Sequence, residues 1–191
     1  MGIISDYQHY KESYQGDLHR YYGGGHFWRA YLTHPGFKYT YHLRLYQFVC
    51  IYRFFIPLTL ILILRLRHLE HKYGIQIPRQ TKIGKGFYIG HYGTIVVNGA
   101  VVIGENVNIS HGVTLGISNR GSNKGVPTIG NHVYIGPGAK IIGKVIVGDY
   151  AAIGANSVVT KDVPKHTCVA GVPARILNMK GSEGYINNII Q

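Results

Sequence analysis

The sequence predicts a mainly β protein, a parallel β-helix of six-residue repeats preceded by a short N-terminal helical arm. From Tyr73 onward, aliphatic residues recur at intervals of six, and Gly often follows directly. This fixed period is typical of a β-helix solenoid, in which each repeat is a short strand and a turn. The aliphatic residue is expected to point into the core and Gly to take the tight corner. The aliphatic positions are Ile77, Ile83, Ile89, Ile95, Val97, Ile103, Ile109, Leu115, Ile129, Ile135, Ile141, Val147, Ile153 and Val159.

The period slips at two places. One slip lies at Ile95–Val97, and the other lies between Leu115 and Ile129, where the polar, Gly-rich stretch SNRGSNKGVP is inserted. The second slip predicts a loop over 117–128 that projects from the coil. Loops held on a rigid scaffold often carry function.

The residues before Tyr73 follow a different pattern, with many aromatic and long aliphatic side chains. The segment from His42 to His71 is rich in Leu and interrupted by Pro57, which predicts two helices. His34-Pro35-Gly36 predicts a turn. The expected division is therefore an arm with helices over 1–72, a β-helix domain over 73–176 and a C-terminal tail over 177–191.

The composition limits the partners. The formal charge of +12, from 20 Lys and Arg against 8 Asp and Glu, favours anionic ligands. The charge forms no basic block, so no nucleic-acid partner is predicted. The two cysteines, far apart in the chain, indicate neither a disulfide framework nor a zinc knuckle, as expected in a reducing cytoplasm.

The chain start has no signal-peptide pattern, so a cytoplasmic location is predicted. The apolar run from Phe54 to Leu64 is too short to span a bilayer, which takes about 20 residues as a helix. This run is expected either to be buried or to rest on the inner face of the membrane.

Two histidines occupy equivalent places in the repeat. His91 comes two positions after Ile89, and His111 two positions after Ile109. With three repeats per coil, the two rings should face outward from adjacent coils, about 4.8 Å apart along the stacking direction. The same face continues to Pro137 and Ala155. A lone His is more often structural, but two at the head of one outward strip favour a functional site.

Longer motifs carry a resemblance to a known family. HPGF at 34–37, YGIQIP at 73–78, KIGKGFYIGH at 82–91, NVNISHGVTLG at 106–116 and AGVPARI at 170–176 resemble the hexapeptide-repeat acetyltransferases, in their serine acetyltransferase branch. The resemblance implies a left-handed parallel β-helix, a homotrimer and acetyl-CoA as the acetyl donor.

Matched residue by residue, this family's catalytic histidine falls on His91, and two of its CoA contacts fall on Pro137 and Ala155. We therefore expect His91 and His111 to be catalytic and no metal to be needed. Lys161 and Arg175 are candidates for the CoA phosphates, although each could also be a solvated surface cation. The residues expected to bind acetyl-CoA are Gly116, Gly136, Pro137, Ala155, Lys161 and Arg175.

The expected chemistry is direct transfer. A neutral imidazole removes the proton of the attacking hydroxyl, backbone N–H groups stabilise the oxyanion, and the imidazolium protonates the leaving thiolate. The family's aspartate partner of the catalytic histidine falls on Gln76. The group that orients His91 is therefore open between Gln76, a main-chain carbonyl, Asp17 and Glu12.

Two further acceptor-side positions differ from the family, an aspartate that is Gly90 here and a histidine that is Val126. Because of these differences, we predict a carbohydrate acceptor, namely a sugar hydroxyl in capsule, exopolysaccharide or lipopolysaccharide synthesis. Serine O-acetylation is the alternative. Less favoured are a zinc carbonic anhydrase of the same fold, with His91 and His111 as two ligands, and a non-catalytic scaffold.

Overall fold

The computed structural model describes residues 3–51 and 56–190, which form a helical N-terminal part followed by a parallel β-helix. Within these residues the helices are α1 (Ile3–Tyr22), α2 (Phe27–Thr33), α3 (Pro35–Val49) and α4 (Ile56–Tyr73). The strands are β1 (Ile75–Gln76), β2 (Lys82–Ile83), β3 (Tyr88–Ile89), β4 (Ile95–Val97), β5 (Val102–Ile103), β6 (Asn108–Ile109), β7 (Thr114–Gly116), β8 (Thr128–Ile129), β9 (Tyr134–Ile135), β10 (Lys140–Ile142), β11 (Ile146–Val147), β12 (Ala152–Ile153), β13 (Val158–Val159), β14 (Cys168–Gly171) and β15 (Ala174–Asn178).

From β1 to β13, successive strands enter three different sheets in turn, which makes each set of three strands one coil. Sheet A has the order β1-β4-β7-β10-β13, sheet B the order β11-β8-β5-β2, and sheet C the order β15-β14-β12-β9-β6-β3. The pairs are parallel, apart from the final β14–β15 hairpin. The β-helix predicted from the six-residue period is confirmed.

The core is a stack of aliphatic side chains in register. Ile89 pairs with Ile109, Ile109 with Ile135, and Ile135 with Ile153. These side chains are buried, as are residues two positions earlier in the repeat, such as Val107 and Val133. Each of these repeats thus directs two residues inward, one just before the strand and one within it, and the sequence period identified only the second of them.

The glycines that follow the core aliphatic residues act differently from the prediction. They are absent from the residues with positive φ; in this part of the fold Thr94, Asn106 and His132 are among those at the left-handed corners. Gly104 lies so close to the next coil that an added Cβ would be 2.7 Å from the carbonyl carbon of Gly130. These glycines are needed because neighbouring coils leave no space for a side chain, and not because the backbone adopts a positive φ there.

Within the described residues, the N-terminal part contains more helices than the two that were predicted. The two helices expected between His42 and His71 are α3 and α4, although α3 begins earlier, at Pro35, and Pro57 lies in the first turn of α4. The predicted turn is the junction at which His34 ends α2 and precedes α3. The sequence did not predict α1. The division into domains at 72 and 176 stays a prediction.

A buried ion pair attaches the helices to the first coil. Nε of Arg44 on α3 donates to the Asp17 carboxylate on α1 at 3.0 Å, and both side chains are almost fully buried. The Arg44 guanidinium also donates to the carbonyls of Ile83 and Gly84, each at 2.6 Å. The backbone N–H of Phe87 donates to Asp17 at 2.8 Å. Four charge-assisted contacts thus join α1, α3 and the β-helix at one buried point.

The apolar run that precedes and enters α4 begins at residues outside the described part. In the described portion, Leu62, Leu66 and Leu69 are buried, whereas Ile56, Leu58, Leu60, Ile61 and Leu64 are exposed. Among residues 3–51 and 56–190, no helix combines the length and the apolar character needed to cross a membrane.

Candidate active site

The predicted outward strip is present as one column of residues on successive coils. We use the name outward column for His91, His111, Pro137 and Ala155. The strand pairs place these residues at equivalent positions, and hydrogen bonds between coils fix the corner. The N–H of Gly138 donates to the His111 carbonyl at 2.9 Å, and the N–H of Asn156 donates to the Pro137 carbonyl at 2.8 Å.

The two histidines at the head of the column are neighbours. Their ring centroids are 6.1 Å apart and the planes are nearly perpendicular, at 83°. Both side chains are exposed. Within the described residues, neither ring has a hydrogen-bond partner, so the nitrogens are open to a substrate or to a neighbouring chain.

His91 lies on a widened corner of the coil. Its coil needs two more residues to run from Ile89 to Val97 than the next coil needs from Ile109 to Leu115, which are their partners in register, and Thr94 adopts φ 54° there. Tyr92 packs against Tyr73 at the end of α4, with centroids 5.3 Å apart. The first slip in the repeat thus lies at the corner that carries His91.

Helix α3 contacts the strand that leads to His91. A Cβ at Gly36 would overlap the Ile89 carbonyl oxygen and lie 3.0 Å from the Tyr21 hydroxyl oxygen. The hydroxyl of Tyr21 donates to that same carbonyl at 3.1 Å. The Gly in the HPGF motif is therefore required for close approach, because any side chain would push α3 away from the strand before His91.

The proposed orienting groups of His91 are only partly compatible with the structure. Asp17 is excluded because it is buried and bound to Arg44 and the Phe87 N–H. Glu12 accepts a hydrogen bond from Gln8 on the outer side of α1. Gln76 lies next to Val96 in sheet A with its side chain exposed, and it stays a candidate.

A polar cavity of about 370 Å³ lies directly beside His91. Its floor is the outward face of sheet C, where Tyr88, Asn108 and Tyr134 follow one another on neighbouring strands. Helix α1 forms one wall, and the chain segment 185–188 forms another. Tyr185 stacks on Tyr134 at 4.5 Å between centroids, which holds the tail in this position.

Arg20 is the cation of this cavity. Its guanidinium is buried and donates to the Asn187 carbonyl at 2.9 Å, the Gly86 carbonyl at 2.7 Å and the Asn108 side-chain oxygen at 2.6 Å. Burial lowers the pKa of Arg20, since charge is disfavoured away from water. Burial likewise raises the pKa of Tyr21 well above its ordinary value, so this phenol is a hydrogen-bond donor at neutral pH.

Sequence reasoning did not identify this cavity. Tyr88, Asn108 and Tyr134 each precede a core aliphatic residue, and this polar and aromatic row was a usable signal for an outward-facing site. Arg20 gave no such signal, because it reaches the cavity only through the docking of α1.

The residues predicted to bind acetyl-CoA are distributed over two sheets and the final hairpin. Gly116 ends β7, and an added Cβ there would lie 2.7 Å from Cδ1 of Ile142; at Gly136 it would lie 2.8 Å from the Ile153 carbonyl oxygen. Lys161 follows β13 and Arg175 lies in β15, both exposed. Among the described residues neither cation has a carboxylate partner. The structure places Pro137 and Ala155 on the outward column and gives no contact between Lys161 and Arg175.

The projecting loop is present and ordered against the next coil. Ser118 and Gly125 exchange two backbone hydrogen bonds of 2.9 Å across its base. The Asn123 side chain donates to the Thr160 carbonyl at 3.0 Å. Val126 packs against the β-helix core, so it is a packing residue in this chain. Across the part of the chain that the structure describes, no cluster of three His, Cys, Asp or Glu residues is arranged to hold a metal ion.

Comparison with known proteins defines the class. Residues 127–161 match the family model described as bacterial transferase hexapeptide (six repeats). The crystal structure of serine acetyltransferase from Brucella abortus strain S19 in complex with coenzyme A superposes with a TM-score of 0.73 at 31% identity, covering 92% of this chain and 68% of that one. The chain is therefore a left-handed parallel β-helix of the hexapeptide-repeat transferase class, as the sequence predicted.

Within that class, the chain belongs to the serine acetyltransferase-like family. The Neisseria gonorrhoeae serine acetyltransferase in complex with serine matches with a TM-score of 0.73 at 30% identity, covering 92% of this chain and 72% of that one. The serine acetyltransferase of Helicobacter pylori strain J99 is 42% identical over 104 residues, which are 54% of this chain and 61% of that protein. The alignment with this curated relative thus spans less than two thirds of its length.

These relatives correct the predicted acceptor. The prediction of a sugar hydroxyl is wrong, because both the curated relatives and the structural neighbours named above are serine acetyltransferases. With that acceptor, the expected role in capsule and polysaccharide synthesis also loses its support. The prediction rested on three altered positions, Gln76, Gly90 and Val126, and took no account of α1 or of the C-terminal tail, which line the cavity.

Proposed function

We propose that this protein transfers the acetyl group of acetyl-CoA to the side-chain hydroxyl of L-serine. The observation that carries the proposal is the position of His91, which lies both at the head of the outward column and at the edge of the polar cavity. The neighbours solved with coenzyme A and with serine support the choice of the two substrates.

His91 is proposed as the general base. Its neutral imidazole accepts the proton of the serine hydroxyl while the oxygen attacks the thioester carbonyl, because a free hydroxyl is too weak an acid to react unaided at neutral pH. The C–O bond forms, the C–S bond breaks, and the imidazolium returns the proton to the CoA thiolate. Atoms and charge balance without an acyl-enzyme.

The outward column is proposed as the track of acetyl-CoA. Pro137 and Ala155 present small surfaces that let an extended pantetheine arm lie close to the backbone. Gly116 and Gly136 keep adjacent coils close, and Lys161 and Arg175 are proposed to bind the phosphates. His111 is one coil from His91 and is proposed to assist in placing the acceptor.

The test is an assay of CoA thiol release by purified protein with acetyl-CoA and L-serine. L-Alanine is the matched control, because it lacks only the hydroxyl group. Thiol release with serine and none above background with alanine is the expected result. Equal rates with both amino acids would mean hydrolysis of acetyl-CoA and would contradict the proposal.

The protein is proposed to act as a homotrimer. Val96, Val102 and Ile146 are exposed apolar side chains on the outer faces of sheets A and B. A second copy packed on these faces would cover them and deepen the column. We expect sedimentation equilibrium at micromolar concentration to give three times the chain mass; a stable monomer would contradict a shared active site.

Cytoplasmic location with peripheral membrane contact stays a prediction. It is supported by the exposed apolar side chains of α4, which are followed along the helix by Arg65 and Arg67. We expect flotation with anionic liposomes at low salt. Recovery of all the protein in the unbound fraction would leave oligomer packing as the role of this helix face.

A further inference from the structure

We propose that Arg20 binds the α-carboxylate of the acceptor amino acid in the cavity beside His91. This inference rests on the proposed serine acetylation and identifies the group that recognises the acceptor. It assigns to α1, outside the β-helix, a direct part in substrate selection.

The first argument is a charge without a counter-charge. Arg20 is 4% exposed, and the acceptors that bind it are two backbone carbonyls and one amide oxygen, which are all neutral. Asp17, one helical turn away, directs its carboxylate to Arg44 instead. Buried charges are normally paired, because an isolated ion loses most of its hydration. An acceptor carboxylate in the cavity would supply the missing negative charge.

The second argument is the number of donors. A guanidinium has five N–H donors in a planar fork. Its three neutral partners use one donor on each nitrogen, so both terminal nitrogens retain one N–H. Two such N–H groups suit the two oxygens of a carboxylate, and charged hydrogen bonds of this type are stronger than neutral ones.

The third argument is position. Arg20 and His91 line the same cavity of about 370 Å³, which is ample for a three-carbon amino acid. The Tyr88 ring supports one face of the guanidinium, with the central carbon 5.6 Å from the ring centroid. The Asn187 carbonyl fixes Nε from the tail side. A serine held by its carboxylate at Arg20 would therefore lie in the same cavity as the proposed base.

The discriminating experiment compares two acceptors that differ only in the carboxylate, L-serine and L-serinamide. The ratio of their kcat/KM values is independent of how much of a preparation is active, so partial misfolding of a variant does not affect it. For the wild-type protein we expect serine to be preferred by about 10²-fold or more, since a site with a committed charged partner strongly rejects the neutral analogue.

Three variants then separate recognition from structure. Arg20→Lys keeps the charge and loses the fork, so the preference should fall by about 10-fold. In Arg20→Met, the ratio of kcat/KM for serine to kcat/KM for serinamide should fall to about 3 or less. The change should come mainly from a higher KM for serine, with the KM for acetyl-CoA nearly unchanged. Arg44→Lys is the matched control: this arginine is also buried but is paired with Asp17, and its replacement should leave the ratio at the wild-type value.

The outcomes distinguish this inference from the function on which it rests. Transfer to serine with no preference over serinamide, or a preference unchanged in Arg20→Met, would overturn the role of Arg20 and leave serine acetylation intact. If both Arg20 variants are insoluble, competitive inhibition of the wild-type protein is the test. L-Alanine should compete with serine, and L-alaninamide, which lacks the carboxylate, should not. Equal inhibition by the two compounds would overturn the inference. A complete lack of transfer to serine would overturn both.

Discussion

Replacement of His91 by alanine is expected to lower kcat for acetyl transfer by about 10²–10⁴-fold, the usual effect of removing a general base. The KM for acetyl-CoA should change little, because the proposed donor contacts lie further down the outward column. The loss follows from the chemistry: without the imidazole, the serine proton must go to water during attack. Steady-state rates at saturating serine measure the effect.

The matched control for this variant is His111→Ala, which removes the neighbouring imidazole 6.1 Å away. It should reduce the rate by a smaller factor. A near-normal rate in His91→Ala combined with a large loss in His111→Ala would mean that His111 is the general base, which would contradict the assignment to His91.

Removal of the Asp17 carboxylate, as in Asp17→Ala, is expected to lower the free energy of unfolding by about 3–5 kcal/mol. The change leaves the Arg44 guanidinium buried without its carboxylate and removes the acceptor of the Phe87 N–H. Urea denaturation at a fixed protein concentration measures the loss. Glu12→Ala, which removes an exposed carboxylate from the same helix, should change stability by less than about 0.5 kcal/mol.

The double variant Asp17→Ala/Arg44→Met tests whether the pair acts as a unit. Its loss should be clearly smaller than the sum of the two single losses, since each single variant leaves a charged partner alone in the interior. Simple addition of the two losses would show that Asp17 and Arg44 contribute independently, contrary to the contacts in the structure.

The β-helix was predictable because its stability depends on a local repeat. The period determines which residues stack, and it correctly predicts that His91, His111, Pro137 and Ala155 occupy equivalent positions on successive coils. Inter-coil distance is a second consequence of the same repeat. The short distance between coils accounts for the glycines after the core aliphatic residues better than backbone conformation does, since positions such as Gly104 have no room for a side chain.

Helix α1 was not predictable in the same way. Its sequence, IISDYQHYKESYQGDLHRYY, has few aliphatic residues after the first turn and carries Gly16 in its interior, which weakens the helical signal. Gly16 has a tertiary reason: a Cβ there would lie 3.2 Å from the Gly86 nitrogen in the first coil. The docking contacts that stabilise the helix are therefore long-range and leave no local pattern.

The cavity beside His91, which we propose as the acceptor site, escaped prediction for the same reason. The cavity combines α1, sheet C and the C-terminal tail, and the contact between Arg20 and Asn187 joins positions 167 residues apart. Gln76, Gly90 and Val126 were visible as differences from a family pattern, whereas the buried cation that faces the cavity was not. Counting the differences alone led to the wrong acceptor.

Product analysis tests the central claim most directly. Purified protein is incubated with acetyl-CoA and isotopically labelled L-serine, and the amino acid is recovered for mass spectrometry, with His91→Ala as the parallel sample. The account predicts labelled O-acetylserine, formed in proportion to free CoA by the wild-type protein and at a rate lower by about 10²-fold or more in the variant. Release of CoA without labelled O-acetylserine, or equal product from both proteins, would contradict it.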